Sequence, residues 1–159
     1  MSLSIYSGKR PDESVMNAIT DVPYIQYVGS VNENEIVEEM GKYDILIDVE
    51  SLDRKMKYKT RLSISTKIPE YLASGKPILA VGPDYISSIR YLKRLGISYI
   101  INSLDETSIK NELMKILNEK YMHRDIGLKG IKIAKDNHSI EKNRKLIRDN
   151  LYDVFKRKK

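Results

Sequence analysis

The chain has 159 residues, 41% of them hydrophobic, with 8 Gly, 5 Pro and no Cys, which suits one globular domain with a sizeable core and excludes disulfides and thiolate metal sites. No run nears the roughly 18 apolar residues of a membrane span and the first residues lack a signal-peptide core, so a soluble, cytoplasmic chain is expected. The formal charge is +6, and residues 142–159 alone hold eight Lys/Arg against two Asp, leaving the rest of the chain neutral.

Along the chain, short apolar runs alternate with longer amphipathic stretches, the pattern of a parallel sheet covered by helices. The first strand is expected at Leu3 to Tyr6, then a helix from Asp12 to Ile19 and a second strand from Tyr24 to Val28. A helix from Glu33 to Gly41 follows, with Asn32 and Glu35 spaced as a capping box, before a third strand over Asp44 to Val49. A short helix at Pro69 to Ser74, a strand at Pro77 to Val81, a helix at Ile86 to Leu95, a strand at Ser98 to Ile101 and a helix at Thr107 to Asn118 complete the alternation. The fold class is therefore α/β: a single Rossmann-like domain over residues 1–136, with about five mostly parallel strands. Residues 137–159 form a helical, basic tail in which Ile140, Leu146, Ile147, Leu151, Val154 and Phe155 make an apolar stripe that packs against something.

In open parallel sheets ligands bind beyond the carboxyl ends of the strands. Gly29, Ser30, Glu50, Ser51, Gly82, Pro83 and Asn102 fall there, and so does the run Ser65-Thr66-Lys67-Ile68-Pro69-Glu70. Pro69 fits only the first turn of a helix, which places Ser65 and Thr66 at the mouth of one that Gly75 ends. Unpaired amides and a partial positive charge at such an N-terminus favour an anion such as phosphate, with Glu70 within reach of ribose hydroxyls. Simpler readings stand beside these: Ser65 and Thr66 as helix caps, Lys67 as a solvated side chain, and Glu70 as an acid favoured by the helix dipole by about 0.3–1 kcal/mol. His123 and His138 show no ligand-like spacing, so no metal and no cofactor are expected.

A second basic cluster comprises Arg54, Lys55, Lys57, Lys59 and Arg61. Neither cluster is interleaved with stacking aromatics, so nucleic acid is not an expected partner. The loop and the tail read either as solvated segments or as contacts to a membrane surface, and the loop also as a contact to an anionic acceptor.

Three segments, Tyr27-Val28-Gly29-Ser30-Val31, Lys42-Tyr43-Asp44-Ile45-Leu46-Ile47 and Ser65 to Pro77, resemble the donor-binding, C-terminal lobe of GT-B fold glycosyltransferases, nearest to the group 1 or family 4 set. The resemblance runs from about Leu3 to Ile101. It implies a nucleoside diphosphate sugar donor with its diphosphate on the backbone around Ser65, Thr66 and Lys67, its ribose on Glu70 and its base near Gly29 and Ser30. Where the family often carries an acidic residue that touches the donor sugar, this chain has Leu62. The resemblance also implies that the lobe's first strand–helix unit and the acceptor-binding N-terminal lobe are missing. The chain is thus expected to be an inactive fragment of a hexosyltransferase-like enzyme of polysaccharide or lipid-linked glycan assembly, and no catalytic residue is assigned. Two alternatives remain: a non-catalytic Rossmann-like interaction or regulatory module, and another enzyme of similar lobe shape such as a sugar-nucleotide epimerase.

Overall fold

The computed structural model describes residues 2–156; Met1 and the last three residues of the expected basic tail lie outside the described residues. All five expected strands form and all pair in parallel, but in two sheets, one of two strands and one of three. The described residues divide into two compact units, one up to residue 42 and one from residue 43 onward.

In the first unit, β1 (Leu3–Tyr6) pairs with β2 (Ile25–Gly29), flanked by α1 (Glu13–Thr20) and α2 (Ile36–Gly41). Asp12 caps α1 by accepting from the Val15 amide at 3.0 Å. The expected capping box does not form: Asn32 Nδ2 donates to the Glu35 carboxylate at 3.1 Å, and α2 starts three residues later than its pattern suggested. Asn32 thereby forms a turn, closed by Glu35 N–H to Asn32 C=O at 2.9 Å, in place of a helix start. Gly29 sits at φ +100, a region open to glycine and strained for other residues. The pairing register shifts between Ile5 and Tyr6, so that Tyr6 faces Gly29.

The second unit is a sheet in the order β3 (Leu46–Val49), β4 (Ile78–Val81), β5 (Ser98–Ile101). Helices α3 (Lys57–Thr60) and α4 (Ile68–Ala73) lie between β3 and β4, and α5 (Ser87–Leu95) lies between β4 and β5. After β5 come α6 (Glu106–Asn118), α7 (His123–Asn137) and α8 (Ile140–Lys156). Strand alternation sends Ile78 and Ala80 into a core with Ile68 and Leu72 of α4, Ile89 and Leu92 of α5, and Ala134 of α7. Leu79, Tyr99 and Ile101 enter a second core with Ile116 of α6. Both faces of the sheet are covered, which is the Rossmann-like arrangement that the alternating pattern implied.

Helix α4 is only six residues long, too short to persist on propensity alone. Three features fix it. Pro69 stands in its first turn. Ile68 and Leu72, four apart on one face, are 0% and 1% exposed, each worth about 1.5–3 kcal/mol of burial. Gly75 then turns the chain at φ +73, and the backbone there lies directly against α7. A Cβ built on Gly127 would meet the Gly75 carbonyl oxygen at 1.9 Å, and one on Gly130 would meet the Leu72 oxygen at 3.2 Å. Two small residues on α7 thus let the helix seat on α4 main chain to main chain.

That contact gives a test. Gly127→Ala should lower stability by at least about 2 kcal/mol, because the obstacle is backbone that cannot rotate aside. Gly8→Ala, where a Cβ would meet nothing within 4 Å, should leave the urea midpoint of the same chain unchanged; equal midpoints for the two variants would count against the close approach.

Candidate functional site

Because β3, β4 and β5 are parallel and in register, the residues that follow them share one edge. Glu50 donates its amide to Val81 C=O at 2.8 Å, and Gly82 donates to Ile101 C=O at 2.9 Å, so pairing runs to the rim. A Cβ on Gly82 would lie 2.9 Å from that of Glu50. The glycine therefore leaves room for Glu50 at the rim. Asn102, after β5, donates to Asp84 at 3.1 Å, which also receives Lys93 at 3.3 Å.

The turn before α4 is tied to this edge through Ser65. Its amide donates to Ser88 Oγ at 2.8 Å, and its hydroxyl donates to Asp48 Oδ1 at 2.8 Å. Ser88, fully buried at the start of α5, in turn donates to Glu50 Oε1 at 2.6 Å. Asp48 is 3% exposed, and its second oxygen has no hydrogen-bond partner. A buried carboxylate is costly unless it is hydrogen-bonded, and here a serine hydroxyl supplies the bond. Burial, and after it the charges of Asp48 and Glu70, hold the Tyr71 phenol above the usual tyrosine range.

Of the expected donors, both of Ser65's are therefore engaged within the protein. The Ile68 amide is also used, on Ser65 C=O at 3.2 Å. Among the described residues, the amides of Thr66, Lys67 and Glu70 find no hydrogen-bond partner, and all three residues are exposed. Helix α4 has Lys67 at its N-cap with no side-chain cap bond. Ser65, Thr66, Lys67 and Glu70 thus lie together on one turn, with Glu70 directed to solvent. Gly29 and Ser30 belong to the other compact unit, where Gly29 ends β2 at a positive φ and Ser30 is exposed.

Residues 54–61, read as a loop, are largely helical: a 3-10 turn at Arg54–Met56 capped by Asp53, then α3. Arg54, Lys55, Lys57, Lys59 and Arg61 are all exposed, and Lys57 stands 5.2 Å from the Tyr85 ring centroid. The Arg61 carbonyl accepts from the Ser87 amide at 3.1 Å and the Ser87 hydroxyl at 2.8 Å, anchoring the segment to the start of α5. Leu62 is 75% exposed. A cleft of about 390 Å³ lies at the opposite end of the strands, lined by Asp44, Gly75, Lys76, Pro77, Lys120, His123 and Arg124. No expected site residue borders it. His123 packs edge-on against Tyr99, and His138 bonds the Tyr91 hydroxyl at 2.8 Å; among the described residues no cluster of three metal-ligating side chains forms.

Sequence reading missed Asp48 and Ser88. Asp48 carries a signal in retrospect, as an acid at an inward position of a strand where an apolar residue is the rule. Ser88 carries none, since a serine near a helix start is common. Ser88→Ala should strand the Ser65 amide and the Glu50 carboxylate and cost about 1–3 kcal/mol in urea unfolding. Faster amide exchange at Ser65 should accompany the loss, and an unchanged midpoint would show that water replaces the hydroxyl without cost.

No protein-family model matches the chain. Among curated proteins, Glucosyltransferase 3 of Streptococcus gordonii is 29% identical to it over 86 residues, which make up 53% of this chain and 25% of that protein. The chain spans about a quarter of the length of that relative, and what the similarity establishes is distant kinship with a glucosyltransferase.

Proposed function

We propose that the chain is the donor-binding lobe of a GT-B, family 4-like glycosyltransferase, which holds a nucleoside diphosphate sugar while a separate lobe presents a glycan or lipid-linked acceptor. The observation that carries this reading is the exposed, unpartnered pair of amides at Thr66 and Lys67 on the carboxyl edge of a parallel sheet. Backbone donors at a helix start suit a diphosphate. The similarity to a glucosyltransferase supports the same reading.

In this proposal the ligands are fewer than the sequence implied. Ser65 acts by holding the turn, since its N–H and O–H are both occupied; Thr66 and Lys67 offer the amides, and the exposed Glu70 carboxylate accepts from ribose. The exposed cations at Lys57, Arg61 and Lys67 add positive field around the turn, which offsets the negative charges of Asp48 and Glu50 behind it. No catalytic residue is proposed, because a catalytic group must be aligned against an acceptor.

Calorimetric titration of the chain with UDP, GDP, ADP and dTDP tests the reading. At least one should bind, and Glu70→Ala should weaken that binding about tenfold or more while leaving the fold intact, since the side chain is exposed. Absence of binding by all four at millimolar ligand, or equal binding by the variant, would overturn it.

A further inference from the structure

We propose that the carboxylates of Asp48 and Glu50 set the preference of the Ser65 turn between an esterified and a free diphosphate, by repelling the extra charge of a terminal phosphate. The inference rests on the reading of that turn as a diphosphate site. Asp48 accepts the Ser65 hydroxyl on Oδ1 at 2.8 Å, is 3% exposed and has no hydrogen-bond partner on Oδ2. An asparagine would offer Ser65 the same acceptor without a buried charge, which is costly to keep. Holding the turn therefore accounts for one oxygen of this side chain and leaves its charge unexplained. Glu50, two residues on and thus on the same face of the strand, is joined to the Ser65 amide through a single serine oxygen, Ser88 Oγ, by bonds of 2.6 and 2.8 Å.

That charge acts on whatever the neighbouring amides hold. Thr66 and Lys67 follow Ser65 directly, and with about 3.8 Å between successive α-carbons a phosphate on their amides stands on the order of 10 Å from both carboxylates. A phosphate that bears a sugar carries a single negative charge, whereas a terminal phosphate carries nearly two at neutral pH. Repulsion from Asp48 and Glu50 therefore falls harder on the terminal form. The other charged side chains at this edge, Lys57, Arg61, Lys67, Glu70, Asp84 and Arg90, are exposed and act through water and salt, which screen them; the buried charge of Asp48 is screened far less. In the proposed reaction the acceptor oxygen bonds the sugar carbon, and the bond from that carbon to the phosphate oxygen breaks with its electron pair left on the phosphate. The acceptor's hydroxyl proton is released. The product diphosphate thereby gains one negative charge near Asp48, which favours its exchange for fresh donor.

Calorimetric titration of the full chain at about pH 8, where a terminal phosphate is doubly ionised, tests it with UDP, GDP, ADP and dTDP and with the glucose ester of each that binds. Asp48→Asn should raise the affinity for the free diphosphate relative to its glucose ester about threefold or more, and Glu50→Gln should shift the ratio in the same direction. A loosened turn weakens both ligands alike, so the ratio separates the effect of charge from that of positioning. Circular dichroism checks the fold, and Glu50→Gln carries the test alone if Asp48→Asn does not fold. An unmoved ratio in the folded variants, or one that moves towards the ester, would overturn this proposal and leave the diphosphate reading standing. Binding of none of the four by the wild-type chain would overturn both.

Discussion

The seat of α4 on α7 is the constraint from which the rest of the carboxyl-edge geometry follows. A six-residue helix has too few internal bonds to hold a direction, yet it must present the Ser65 turn at a defined place on the sheet. Main chain against main chain at Gly75 and Gly127 supplies what its length cannot. Side chains can adjust by rotation, but carbonyls and α-carbons cannot, so the contact admits few alternatives. Ile68 and Leu72 then lock the same helix from the sheet side.

Given that placement, the polar cluster of Asp48, Ser65, Ser88 and Glu50 sets the shape of the turn. It joins the end of β3, the start of α4 and the start of α5 through three bonds of 2.6 to 2.8 Å. The arrangement works against a simple electrostatic picture of an anion site, since two carboxylates stand behind it. Serine hydroxyls and buried packing, more than net positive charge, give the turn its form. Any attraction for an anion comes from the exposed amides and from cations on the surrounding surface.

Much of the architecture was legible because period-2 and period-3.6 patterns do not depend on distant partners. β1 and β5 fall where the apolar runs predict, and α5 and α6 lie within a residue of their patterns. The division of five strands into two sheets was not legible, because each run reads as a strand whatever it pairs with. At the candidate turn, Pro69 and Gly75 announced the helix correctly. The fate of Ser65's donors was hidden, since it depends on Asp48 and Ser88, which lie 17 and 23 positions away. The small residues of α7 were equally silent, because a glycine within a helical pattern ordinarily only lowers its stability. Residues 54–61 misled in the other direction, their density of cations masking short helical turns that Asp53 and the Ser87 contacts hold.

Helix starts in this chain are not treated alike. Asp12 and Asp105 close the first amides of α1 and α6 with their own carboxylates, and the pKa of each acid is lowered chiefly by the backbone bond it accepts. Helix α4 begins at Lys67, whose side chain cannot accept a hydrogen bond. Under the proposed function, the acceptor for the free amides of its opening turn would come from outside, as an addition to the bonds of Ser65 that already hold the turn. An oxyanion there would tighten the start of α4 much as aspartate does for α1 and α6, so recognition at this edge would register as local rigidity before any larger rearrangement.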